Sequence, residues 1–297
     1  MRLFDAGTRT GLRAAYKSEP TYDYYNQSAR PGIAALRQIL EDWFERIPVE
    51  AKAHLCARFQ SPLEFNHQGA FFELYTHELF KRVGFELQLD PVAPESSTRP
   101  DFLVLKHSVP QFYLEATVAG LPSPAEQGAG ARMAVVYDAI NRVCSPNFFL
   151  KLDLRGAPKT PPATRKLRND LSKWSAQQNP DVITRLYVEE RYEDVPSFAW
   201  SHEGWELSIK PVPKSPKSRG RSGVRPIGIE TQEGQWLNTQ GVIKGAVERK
   251  SGKYGNLNLP FIIAVNVLEN HCEDIDVMNA LYGDECIVVI QGDRAVG

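Results

Sequence analysis

Three carboxylates, Glu73, Asp101 and Glu115, stand within or beside apolar runs. Glu73 lies between Phe72 and Leu74, Asp101 opens Asp101-Phe102-Leu103-Val104 after Arg99-Pro100, and Glu115 sits inside Phe112-Tyr113-Leu114-Glu115-Ala116-Thr117. A carboxylate at the edge of a core is costly to desolvate unless something pairs with it. A divalent cation is the simplest partner for three at once, and carboxylate oxygens suit a hard ion such as Mg²⁺ or Mn²⁺. Such an ion activates water and neutralises charge building on a phosphodiester. The chemistry expected of residues 71–117 is therefore metal-assisted hydrolysis, with Glu73, Asp101 and Glu115 as ligands.

The elements that must position these groups follow from periodicity. Phe72, Tyr75, Leu79 and Val83 recur at helical spacing, which predicts a helix over 68–83 ended by Gly84. Residues 85–89 alternate as a strand, and a Pro- and Ser-rich loop fills 91–100. Residues 101–106 and 111–118 read as two strands joined by the turn 107–110, an antiparallel hairpin. Asp101 at the start of one arm and Glu115 near the end of the other can then face each other. Each carboxylate also has a plainer reading: a solvated helix position for Glu73, a turn residue after proline for Asp101, and an edge-strand charge aimed at solvent for Glu115. His77, one turn after Glu73, reads either as a partner of that carboxylate or as an ordinary surface histidine.

Elsewhere the chain reads as an irregular tyrosine-rich arm over 1–30, then helices over 31–60 broken at Pro48. Helices are expected at 125–143, 162–178, 239–251 and 274–281, and strands at 147–154, 183–190, 204–210, 225–231, 261–267 and 286–291. Alternating helices and strands predict an α/β fold, a mixed central sheet flanked by helices. The expected organisation is an N-terminal arm and helices over 1–62, a core over 63–155, and a C-terminal α/β extension over 156–297 packed on that core.

Composition narrows the function classes. The chain has 297 residues and a formal net charge of −1, so a nucleic-acid surface would have to be a local patch. Cys56, Cys144, Cys272 and Cys286 are scattered, which argues against a disulfide framework or a structural zinc site and for a reducing compartment. No apolar run approaches the roughly 18 residues needed to span a bilayer, and the opening segment lacks the apolar core of a signal peptide. The expectation is a cytoplasmic protein with no membrane partner. No phosphate-binding G-x-x-x-x-G-K-[ST] loop, G-x-S-x-G elbow or H-E-x-x-H helix occurs, which counts against an ATPase, a serine hydrolase and a zinc protease.

The order of a helix carrying Glu73, a strand, Pro100-Asp101, a hairpin, and Glu115-Ala116-Thr117 resembles the active-site motif of the PD-(D/E)XK nuclease superfamily. The resemblance covers roughly residues 68–155. It implies a restriction-endonuclease-like core of αβββαβ order, in which the helix at 125–143 and the strand at 147–154 would be the last two elements. It implies a Mg²⁺- or Mn²⁺-dependent endonuclease that hydrolyses DNA, with a role in bacterial defence or restriction and a homodimer mate or defence-system protein as a further partner. The catalytic set carried over is Glu73, Asp101, Glu115 and Thr117. Thr117 departs from the pattern, because the family places a lysine there to stabilise developing negative charge. Lys151, Arg132, Lys81, Lys250 and Lys253 are the candidate replacements. The alternative is a catalytically inactive module of the same fold that binds nucleic acid or protein.

One segment stands apart in composition. Residues 210–225, KPVPKSPKSRGRSGVR, contain six basic residues and no acidic ones. They read as a mobile loop whose Lys214, Lys217, Arg219, Arg221 and Arg225 would contact the phosphates of DNA. Trp200, Trp205 and Trp236 flank it and are either stacking platforms for bases or core residues. His271-Cys272-Glu273-Asp274 has metal-binding residue types but no matching second ligand pair, so it reads as a polar loop.

Overall fold

The hairpin read at 101–118 is one part of a sheet whose last strand comes from the far end of the chain. The computed structural model describes residues 1–94, 97–120, 124–221, 223–232, 238–268, 272–284, 289–291 and 294–296. The elements in chain order are α1 (Thr21–Gln27), α2 (Pro31–Glu45), α3 (Val49–Phe59), α4 (Glu64–Arg82), β1 (Glu86–Leu89), β2 (Phe102–Lys106) and β3 (Val109–Ala119). Then follow α5 (Pro124–Ile140), β4 (Phe148–Arg155), α6 (Thr164–Ala176), α7 (Pro180–Val188), β5 (Phe198–His202), β6 (Trp205–Pro213) and β7 (Ile227–Gln232). The chain closes with α8 (Thr239–Ser251), β8 (Phe261–Val267), α9 (Asp274–Tyr282), β9 (Val289–Gln291) and β10 (Arg294–Val296). The fold is mixed α/β.

Two units partition these elements. The first comprises Met1–Ala14, Pro20–Leu121 and Leu237–Gly297, and the second Ala15–Glu19 and Pro122–Trp236. The boundaries expected at 62/63 and 155/156 are therefore corrected: the core of the first unit is interrupted in sequence after β3 and resumes at α8. The reason is strand pairing. β3 pairs in parallel with β8, Glu115 opposite Ile263, whereas β4 belongs to another sheet. The helix at 125–143 and the strand at 147–154, expected to complete the first sheet, form part of the second unit instead.

In the first unit the sheet order is β1-β2-β3-β8, antiparallel except for the β3–β8 pair. A parallel pair needs a crossover connection. α8 is the helix that directly precedes β8. β2 and β3 join through His107 and Ser108, both at positive φ (51° and 61°), the conformation of a tight two-residue hairpin turn. Phe102, Val104 and Leu114 fill the buried side of this sheet. Ahead of it, Leu3, Phe4, Tyr22, Leu40, Phe44, Leu55, Phe59 and Leu74 pack into a helical core. The segment read as an irregular arm thus contains α1, and Glu41 anchors it by accepting from Leu3 N (3.1 Å) and Phe4 N (2.9 Å).

α4 is rotated away from its apolar stripe. Tyr75, Leu79 and Val83 are exposed, while His67, Leu74, His77 and Glu78 are buried. Such an orientation costs least where the buried polar groups are met. Phe59 O lies 2.6 Å from His67 Nδ1, and Glu78 takes Arg46 (2.9 and 2.8 Å) and Arg82 (2.7 Å). These ion pairs hold the Glu78 carboxyl below its ordinary range despite burial.

The second unit has a sheet of order β5-β6-β4-β7. On β4 the alternate residues Phe148, Leu150, Leu152 and Leu154 are buried. The last three pack with Trp205, Leu207 and Ile209 and with Val136, Ile140, Leu167 and Leu171 of α5 and α6. Residues 183–190, read as a strand, are largely α7. The deciding signal is the helix start: Asn179 Oδ1 accepts from Asp181 N (2.9 Å) and Val182 N (3.3 Å), and Pro180 occupies the first turn. β5 was not anticipated; it pairs with β6 across a turn at Glu203 and Gly204, both at positive φ.

Candidate functional site

β2 and β3 bring Asp101 and Glu115 together. Asp101 directly precedes β2, and Phe102 pairs with Leu114. Asp101 N donates to Glu115 Oε2 (3.3 Å), and Ala116 N donates to Asp101 Oδ2 (2.7 Å). Glu115 is 1% exposed. The edge-strand reading of Glu115 fails because β3 is an interior strand, covered on its other side by β8.

Two cations reach Glu115 from the chain ahead of β8. Lys250, in the last turn of α8, places Nζ 2.5 Å from Glu115 Oε1, and Lys253 Nζ stands at 3.4 Å from the same oxygen. Tyr254, buried against Phe261 with ring centroids 5.5 Å apart, donates its hydroxyl to Glu115 Oε2. Burial raises the Tyr254 hydroxyl well above its ordinary pKa, and the bond to Glu115 adds to that. Of the other candidate cations, Lys151 pairs with Asp153 (3.5 Å) and Arg132 donates to Pro158 O (2.8 Å), both in the second unit. Lys81 acts on His77, whose charged form it disfavours. Thr117 lies two residues beyond Glu115 on the same strand, paired with Val265.

Glu73 is held by an ion pair with Arg58, which sequence reasoning did not single out. Burial raises the Glu73 carboxyl above its ordinary pKa, and Arg58 opposes that rise. Asp101 feels Glu73 as a negative neighbour. Burial first, then the charges of Glu115 and Glu73, push Asp101 up to about 7. Among the described residues no cation forms an ion pair with Asp101, although Lys250 acts on it at longer range. His77 is buried rather than on the surface, beside the Phe102 ring at 6.3 Å, and burial drives it down to about 4. Its Nδ1 has no hydrogen-bond partner among the described residues, so no bond links it to Glu73.

Among the described residues no three His, Cys, Asp or Glu side chains stand close enough to form a ready metal cage. The chemistry of the Asp101–Glu115 pair nevertheless fits a hard divalent cation. Two carboxylates meet there, and the one without an ion pair is raised by its neighbours' negative charge. A cation placed between them would relieve that repulsion.

Part of the basic segment is built into the fold: its first residues belong to β6, and several of its side chains are bonded. Lys214 is buried, and its ammonium donates to Ser145 O (2.9 Å). Arg219 donates to Lys214 O (3.1 Å), Asp181 Oδ1 (2.6 Å) and Thr184 Oγ1 (3.1 Å), and Arg225 donates to Ala15 O. These three side chains are engaged within the fold, while Lys217 and Arg221 are left on the surface. Trp205 is wholly buried, and Trp200 packs edge-on against it at 5.8 Å; Trp236 lies outside the described residues. Glu273 serves as the cap of α9 in a reciprocal pair with Asp276, while His271 and Cys286 lie outside the described residues. Among the described residues no helix is long and apolar enough to cross a membrane.

Comparison with known protein families, with curated proteins and with solved structures gives no match for this chain.

Proposed function

We propose that the first unit is the catalytic core of a metal-dependent nuclease that hydrolyses phosphodiester bonds in DNA, in keeping with a bacterial defence role. The observation that carries this reading is the contact of Lys250 with Glu115. It puts an ammonium beside the carboxylate pair of a hairpin whose own sequence offers only Thr117. Support also comes from element order. Once the second unit is set aside, α4, β1, β2, β3, α8 and β8 follow one another as helix, three strands, helix and strand, the element order expected of a PD-(D/E)XK core.

Under this reading Asp101 and Glu115 would hold Mg²⁺ or Mn²⁺. When bound, the ion supplies Lewis acidity toward water and the scissile phosphate. Lys250 places positive charge where negative charge develops on the phosphate, a role worth most in a partly dehydrated site. Tyr254 fixes the rotamer of Glu115. Glu73, although paired with Arg58, still acts on Asp101 as a negative neighbour, which favours a cation there.

A second reading, an inactive module that binds nucleic acid or protein, draws on one observation. Both oxygens of Glu115 are already engaged, Oε1 by two lysines and Oε2 by Tyr254 and Asp101 N. A cleavage assay on plasmid and linear DNA with Mg²⁺ or Mn²⁺ separates the two. The nuclease reading expects nicking or linearisation that vanishes in Asp101→Ala and Glu115→Ala. Cleavage that survives either change removes this site; DNA binding with no cleavage under either metal selects the inactive module.

A further inference from the structure

The second unit carries a pocket with no part in the carboxylate chemistry. It has a volume of about 260 Å³ and is lined by Ser18, Asp138, Arg142, Thr164, Arg165 and Arg168 among others. Arg165 and Arg168 are three residues apart on α6 and therefore project to the same side. Arg142 follows α5, its guanidinium 4.9 Å from the centre of the Tyr16 ring. Among the described residues none of these three arginines forms an ion pair with a carboxylate.

The single acid in the lining sets one negative charge against three positive ones. Asp138 is 3% exposed, and its oxygens accept from Lys17 N (2.9 Å), Ser18 N (3.0 Å) and Ser18 Oγ (2.6 Å). Three guanidinium groups around one pocket repel each other, at about 1 kcal/mol per pair 4 Å apart in water and more where water is excluded. An anion shared among them removes that cost. Guanidinium forks match phosphate oxygens two at a time. A volume below the roughly 300–1,000 Å³ of pockets for whole drug-sized ligands suits one phosphate and part of its ester. A second groove shares Thr164 and Arg165 with this pocket and adds Lys166 and Lys173, with Asp170 as its acid. The positive track thus continues along α6, as a polyanion requires and a lone phosphate does not.

We propose that Arg142, Arg165 and Arg168 grip a backbone phosphate of a nucleic acid, with α6 as the positioning surface, in the role expected of residues 210–225. The identity of the polymer rests on the nuclease reading; the phosphate pocket itself does not.

The test is fluorescence anisotropy of a dye-labelled 20-base-pair DNA with the full chain in EDTA, across a salt series. Arg165→Ala/Arg168→Ala is expected to weaken binding at least tenfold and to lower the slope of log affinity against log salt by about 1–2. Arg142→Ala is expected to act in the same direction. Lys217→Ala/Arg221→Ala, which removes the same charge, is expected to leave affinity within about twofold. Should the double variant fail to fold, Arg165→Glu alone carries the same expectation. Unchanged affinity, an equal loss in the Lys217/Arg221 control, or a wild-type chain that binds inorganic phosphate but no DNA overturns the proposal. Metal-dependent cleavage is silent in EDTA, so a failed nuclease reading leaves this result standing. A chain that cuts DNA but binds it normally after the Arg165/Arg168 change overturns this site alone.

Discussion

Replacing Asp101 by asparagine should stabilise the first unit at alkaline pH and leave it unchanged at acid pH. Asp101 is half-buried beside Glu115, and desolvation first, then the charges of Glu115 and Glu73, raise its carboxyl from the ordinary 3.8 to about 7. A raised acid favours the protonated form in the fold. Its contribution to stability is full below pH 4, where folded and unfolded chains both carry the proton. It is lost as pH rises towards 7, because the unfolded chain has already released a proton that the fold still holds. Roughly three pKa units at about 1.4 kcal/mol each cap the loss at about 4 kcal/mol by pH 8. Asparagine keeps an oxygen to accept from Ala116 N, now at 2.7 Å from Asp101 Oδ2, and has no charge to desolvate. The assay is urea unfolding of wild type and Asp101→Asn in EDTA at pH 4 to 8.5, with exchange of the Glu115–Val118 amides as the probe local to β3. The expected advantage of the variant is near zero at pH 4 and about 2–4 kcal/mol at pH 8.5. Added Mg²⁺ should narrow it by stabilising only the wild type. A variant advantage that stays flat with pH, or a variant less stable than wild type at pH 8.5, refutes the argument that Asp101 carries an uncompensated buried charge.

Two further outcomes follow from the same geometry. Lys250→Gln should lower the single-turnover cleavage rate by about 10²–10³, the range for losing one preorganised charge partner, while Lys253→Gln, whose ammonium is farther from Glu115, should cost less; equal rates for Lys250→Gln and wild type would remove Lys250 from the site. Lys214→Met should lower the unfolding midpoint of the second unit through the bond lost to Ser145 O, with DNA affinity in EDTA unchanged; a pure affinity loss with an unchanged midpoint would restore Lys214 to the binding surface.

The local part of the site was readable because it is local. Pro100-Asp101, the hairpin and the alternation around Glu115 are set by neighbours within about 15 residues, and the structure has Asp101 and Glu115 in contact. What failed depends on distant partners or on compensation. Whether β3 is an edge or an interior strand is decided by β8, whose Ile263 lies 148 positions along the chain from Glu115. The tilt of α4 is decided by Arg46 and Arg82, which let Glu78 turn inward and so leave Tyr75 and Leu79 outside. α7 was read as a strand although a cap-and-proline start at Asn179-Pro180 was present in the sequence. The basic segment was misread because composition counts charges without counting what they are bonded to.

The position of Lys250 bears on how the three-residue motif is understood. On a strand, the residue two beyond Glu115 shares its face, so a lysine at 117 would be the shortest route to a charge beside the carboxylate. It is not the only route. A parallel neighbour such as β8 must be entered at the end where the paired part of β3 begins, so its connection passes close to Glu115. Here that connection runs from the last turn of α8 through Lys253 and Tyr254 to Phe261, which pairs with Tyr113. Three donors within five residues, Lys250, Lys253 and Tyr254, therefore arrive at one carboxylate, and a threonine at 117 costs the site no charge. Under the nuclease reading, the charge is needed at a place in the sheet, which this chain fills from the helix that precedes β8 rather than from β3 itself.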